Sequence, residues 1–69
     1  MDDPTPRQSD LLYGVPAIAR FLRLRERQAR HRIDNGTIPT FRLDGTICAR
    51  ESSLNAWLAE REAAARREA

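Results

Sequence analysis

Arginine supplies every strong cation in this chain: twelve arginines and no lysine stand against ten carboxylates and a single histidine. Eight of them (Arg20, Arg23, Arg25, Arg27, Arg30, Arg32, Arg42 and Arg50) fall between residues 20 and 50, a segment left at +5 once Glu26, Asp34 and Asp44 are counted. The flanking segments are acidic, −2 over residues 1–19 and −1 over residues 51–69, so the overall charge of +2 hides a strongly basic middle. A guanidinium is planar and presents its N–H donors as a fork, which grips a phosphate or the edge of a guanine through two parallel hydrogen bonds. Concentrating such groups in one stretch suits a polyanionic partner better than an evenly solvated surface does. The missing lysine itself carries little weight, because a GC-rich coding bias gives the same composition.

Other chemistry is scarce. No serine, histidine and carboxylate occur together at a plausible spacing and there is no glycine-rich phosphate loop, so no enzyme is expected. Ser52 and Ser53 read as helix-start residues rather than nucleophiles. Cys48 cannot form an internal disulfide, and with His31 it falls short of the ligands of a structural zinc site; it reads as a small apolar filler in a strand. A domain of this size encloses only a modest core, so neither a cofactor nor a small-molecule ligand is expected. No apolar run approaches a membrane span, and the acidic start at Asp2 and Asp3 lacks the features of a signal peptide, which makes a cytoplasmic location the expectation.

The elements that must position the arginines follow from periodicity. Residues 1–10 combine Pro4 and Pro6 with polar and acidic residues and read as a flexible tail. A folded domain is expected over residues 11–59. Gly14-Val15-Pro16 marks a helix entry with Pro16 in the first turn. Ile18, Phe21 and Leu22 at i, i+3 and i+4 give that helix one buried stripe, with Arg20 and Arg23 pointing away. After Leu24, a buried turn residue, a second helix is predicted from about Arg25 or Glu26 to Asn35, stopped by Gly36. Ala29 and Ile33 form its inner edge, and Arg27, Arg30, His31 and Asp34 face outward together. Arg32 lies near the inner edge, where its methylene stem can pack while the guanidinium reaches out. Glu26 is placed to pair weakly with Arg30.

Thr37-Ile38-Pro39 leads into a hairpin around Asp44-Gly45. A two-residue turn would set Ile47 opposite Arg42 and split the apolar residues between faces, whereas a loop from Asp44 to Thr46 would pair Leu43 with Ile47 and Phe41 with Ala49 on one face. The looser loop is the expectation, since a small domain needs its apolar surface; it puts Arg42 and Cys48 on the outer face and Thr46 at the tip. A last helix starts over residues 50–53, with Leu54, Trp57 and Leu58 as its core anchor. Residues 60–69 have high helix propensity but no large apolar residue and read as a solvent-exposed helical extension, with Glu62 and Arg66 spaced to pair.

This order resembles the MerR-like winged helix-turn-helix family, and within it the excisionase-type small DNA-binding proteins, over about residues 11–59. The resemblance is carried by Asn35-Gly36-Thr37-Ile38-Pro39 after the second helix, by the Asp44-Gly45 turn, and by Leu54-Asn55-Ala56-Trp57-Leu58 in the closing helix. Between the first two helices this chain has Arg23 where such proteins usually have glycine. The resemblance implies a mainly α fold with a small β-hairpin, in which the second helix enters the major groove and the hairpin, or wing, touches the backbone or minor groove. It maps Arg25, Arg27, Gln28, Arg30 and His31 to the recognition helix, and Arg42 with Thr46 to the wing.

Arg27, Gln28, Arg30 and His31 are then the candidates for base reading: an arginine can fork onto guanine O6 and N7, and a glutamine onto adenine N6 and N7. Arg20, Arg23, Arg25, Arg42 and Arg50, with Thr46, are the candidates for phosphate and wing contacts, which add affinity without sequence information. The function implied is sequence-specific binding of double-stranded DNA, as an excisionase-like recombination directionality factor or a small transcriptional regulator. Such a protein works beside copies of itself on adjacent sites or with an integrase, and phage packaging complexes use a similar module to recognise DNA. The alternative from a different class is a protein-interaction module whose arginine face meets an acidic partner.

Overall fold

The computed structural model describes residues 10–68. Nearly all of the expected tail, and Ala69, lie outside the described residues. Strand β1 (Leu11–Tyr13) is followed by helices α1 (Val15–Leu22) and α2 (Glu26–Asp34), the hairpin of β2 (Phe41–Leu43) and β3 (Thr46–Arg50), and the long helix α3 (Glu51–Glu68). The strands form one antiparallel sheet in the order β1-β3-β2. β1 has no counterpart in the sequence reading, because three residues are too few for alternation to register.

Helices α1 and α2 close in the same way. Leu24 N–H donates to the Ala19 carbonyl (2.9 Å) across Arg23, and Thr37 N–H donates to the Arg32 carbonyl (2.9 Å) across Gly36. Each bond spans a residue in the left-handed conformation, with φ of 61° at Arg23 and 77° at Gly36, the geometry that satisfies the last carbonyls of a helix and favours glycine. Gly36 fits it without strain; Arg23 carries a Cβ there at a cost of about 1–2 kcal/mol. Arg23→Gly is therefore expected to raise stability by up to about 1 kcal/mol, the larger backbone entropy of glycine offsetting part of the relief. Urea denaturation checks it, and a loss of stability would show that the Arg23 side chain holds the turn.

The core lies between the two helices, the inner face of the sheet and the first turns of α3. Ile18, Ile38, Ala49 and Leu54 are buried together, and Val15, Ala19 and Ala29 form a second buried cluster where α1 crosses α2. Ala29 is fully buried, and its small side chain permits the close crossing. Phe21, Ile33 and Trp57 pack against the interior while only half-buried. Leu58 differs from expectation: it is 42% exposed and does not share the anchoring role of Leu54.

The hairpin also departs from expectation. Phe41 pairs with Cys48, Arg42 with Ile47 and Leu43 with Thr46, so the turn contains Asp44 and Gly45 alone. Both have positive φ, 54° and 81°, as in the two-residue turn whose twist matches that of the flanking strands. Turn chemistry outweighs the economy of apolar surface. Ile47 and Ala49 face the core with Leu12, while Phe41 and Leu43 lie on the outer face with Tyr13 and remain exposed. Arg42 consequently shares the inner face with Ile47 rather than the outer face with Cys48. Cys48 is nonetheless fully buried, because it sits on the central strand between Tyr13 and Phe41. Thr46 is a half-buried strand residue rather than the tip of the wing.

Strand β3 runs directly into α3, which leaves no room for a local capping residue. Asp10, read with the tail in the sequence, supplies the cap instead. Its carbonyl accepts from Glu51 N–H (2.7 Å), and its carboxylate accepts from Ser52 N–H (3.2 Å) and Arg50 Nε (3.1 Å). Hydrogen bonds from the Ser52 side chain and backbone, with a smaller contribution from Arg50, hold the Asp10 carboxyl down to about 2 from an ordinary 3.8, against an opposing desolvation effect. A depressed folded-state pKa means that the ionised carboxylate stabilises the fold above the ordinary value. That contribution is lost as pH falls from about 3.8 through about 2. The melting temperature of the wild type is expected to drop over this window by more than that of Asp10→Asn; parallel profiles would show that the cap does not depend on charge. The helix-turn-helix of α1 and α2, the β2–β3 wing and the closing α3 together make the chain a winged helix-turn-helix domain.

Candidate nucleic-acid interface

Helix α2 presents Arg27, Arg30, His31 and Asp34 on the side away from Ala29, all exposed. Arg30 is held only loosely by Glu26 (3.9 Å, both side chains 55% exposed), a contact worth at most about 0.5 kcal/mol and readily exchanged for another anion. Arg27 has no ion pair among the described residues. The amide nitrogen of Asn35 lies 3.2 Å from His31 Nε2. That contact ties the ring to the C-terminal end of α2, and which ring nitrogen donates depends on the tautomer. Asn35 reads in the sequence only as the end of the helix and the start of the Asn35–Pro39 motif; its spacing of four from His31 is the signal for this contact.

Gln28 differs from its neighbours. Its Oε1 accepts the backbone N–H of Arg25 at the start of α2 (3.0 Å), so the oxygen needed for a two-bond reading of adenine is engaged in capping the helix. Arg25 and Arg27 border an open groove with Gln28 at this N-terminal end, where the helix dipole adds to their positive field.

The wing meets α2 across a second groove of about 410 Å³, bordered by Arg30 and Asp34 from the helix and by Arg42, Gly45 and Thr46 from the hairpin. The tight turn is what places Arg42 there, since it puts this side chain on the same sheet face as Ile47. Asp34 lines the same groove and places one negative charge on its border.

Three of the candidates do not join this arrangement. Arg20 and Arg23 are exposed at the C-terminal end of α1, and Arg50 belongs to the opposite sheet face, with its Nε bound to Asp10. Among the described residues no polar or charged side chain is buried, and no group of three histidine, cysteine or carboxylate residues is placed to hold a metal ion. No helix among them is long and apolar enough to cross a membrane. Compared with known proteins, the chain matches no family model, no curated protein and no solved structure.

Proposed function

We propose that this winged helix-turn-helix binds double-stranded DNA sequence-specifically, in the cytoplasm, with α2 in the major groove and the β2–β3 wing on the adjoining backbone. The observation that carries this reading is the open groove that Arg30 of α2 and Arg42 of the wing both line. A helix about 10–12 Å across fits a groove about 12 Å wide, and the exposed Arg27, Arg30 and His31 would then meet base edges while Arg25 and Arg42 meet phosphates. Asp34 adds an acceptor of the kind that recognises the cytosine amino group.

Nine residues of α2 span roughly 13 Å, or about four base pairs. That is too short a site to be found alone in a genome. The chain therefore works with further copies on adjacent sites or with a protein partner, as the resemblance to excisionase-type proteins implies, and it carries out no catalysis itself. Recombination directionality and small-scale transcriptional control use the same surface; DNA bending and cooperative filling of tandem sites, measured on duplexes from beside the gene, distinguish the first from the second.

The direct test is fluorescence anisotropy with labelled duplexes over a range of salt concentrations. With Arg25 and Arg42 on phosphates, the logarithm of the binding constant is expected to fall against the logarithm of salt concentration with a slope of about −0.9 per phosphate contact. A chain that ignores duplexes at low ionic strength, or binds them with a flat salt dependence, overturns the reading.

A further inference from the structure

A groove on the other side of α2 belongs neither to the helix face described above nor to the wing. Leu22 and Leu24, around the α1–α2 turn, and Trp57 and Leu58 of α3 give it an apolar floor, and Arg32 and Arg61 border it. It offers about 250 Å³, just below the roughly 300–1,000 Å³ of pockets that bury small molecules, and suits one or two large side chains.

Two features of this groove call for an occupant of particular chemistry. Leu58 is 42% exposed and Trp57 only half-buried, so apolar surface remains open beside a core that could have absorbed it. Arg32 and Arg61, from different helices, both border that apolar surface; no acidic residue lines the groove, and neither arginine has an ion pair among the described residues. Two like charges held against apolar surface repel until an anion arrives. The 3.6-residue period also puts Arg32 nearly opposite Arg27 and Asp34 around α2, so an occupant here leaves the other face free.

We propose that this groove docks an acidic peptide segment of a partner protein, with an apolar side chain on the Trp57 and Leu58 floor and carboxylates gripped by Arg32 and Arg61. The apolar floor favours protein over duplex DNA, whose phosphates would meet the arginines but whose outer surface has no large apolar side chain to fill the space over Trp57 and Leu58. The inference goes beyond DNA binding and does not depend on it.

Trp57 is the only tryptophan in the chain and forms part of the groove, so its emission reports occupancy directly. The full chain is titrated with a short blocked peptide made only of leucine and glutamate, and with a counterpart in which lysine replaces glutamate. A saturable shift with the acidic peptide and none with the basic one is expected. The R32E/R61E double variant is expected to bind the acidic peptide about tenfold more weakly and to gain affinity for the basic one. Leu58→Ser, a change at an exposed position, is expected to weaken binding as well, so the result does not depend on the double variant folding. Four outcomes of the titrations overturn the proposal: no response to either peptide, equal response to both, unchanged affinity in both variants, or a change in Trp57 emission with protein concentration alone, which would make a second copy the occupant. Duplex affinity of the charge-neutral Leu58→Ser is expected to stay within about threefold of wild type. A loss as large as that caused by Arg30→Ala would assign the groove to DNA and overturn it too.

Discussion

Truncating Leu54 to alanine is expected to remove about 3 kcal/mol of stability, within the roughly 2–5 kcal/mol typical of fully buried leucines. Leu54 is fully buried among Ile18, Ile38 and Ala49 and is the only buried residue of α3, so its removal opens a cavity at the point where the closing helix meets the core. A domain of about 60 residues has a total stability of only some 3–9 kcal/mol, and the variant is expected to lose a third of it or more. Leu58→Ala, four residues along the same helix but exposed, is expected to cost less than about 1 kcal/mol. Urea denaturation followed by Trp57 fluorescence compares the two directly. Equal losses would mean that α3 is held along its length rather than through one side chain.

The contrast between these two leucines marks where sequence reasoning succeeds and where it stops. Both lie in a stripe of correct helical spacing, and the period alone cannot tell which turn of a long helix leaves the core. The boundaries of α1 and α2 were legible because Pro16 and Gly36 are strong local signals whose conformational limits act regardless of tertiary context. The outward set Arg27, Arg30 and His31 was legible for a similar reason: once Ala29 and Ile33 are assigned to the interior, helical geometry fixes the rest.

Long-range pairing was hidden. Nothing in the sequence links Asp10 to Arg50 and Ser52 across forty residues, and with that link unseen Arg50 looked like a free cation and Asp10 like part of a tail. The hairpin register failed for a different reason. Asp44-Gly45 is a strong local signal for a two-residue turn, but it was weighed against the burial of Phe41 and Leu43, and the backbone preference prevails in the folded chain. That register also matters to the proposed reading, since it puts Arg42 on the inner sheet face and into the groove that Arg30 lines.

The second large effect concerns that pair of arginines. Arg30→Ala is expected to reduce affinity for the preferred duplex by about 1–3 kcal/mol, roughly fivefold to more than a hundredfold, and to relax preference at one position, because the loss is specific to the base that the guanidinium forks onto. Arg42→Ala is expected to weaken all duplexes by nearly the same factor and to flatten the salt dependence by about one in slope, because a phosphate contact carries charge but no base information. Neither substitution should unfold the domain, since both side chains are exposed and the Glu26 contact to Arg30 is weak. The comparison is made on one preferred duplex and one scrambled duplex at several salt concentrations. Losses from Arg30→Ala that ignore sequence would make it a phosphate contact like Arg42, leaving Arg27 and His31 to carry base recognition. Losses from Arg42→Ala confined to the preferred duplex would mean instead that the wing reads sequence, and that the groove it shares with Arg30 is a single reading surface.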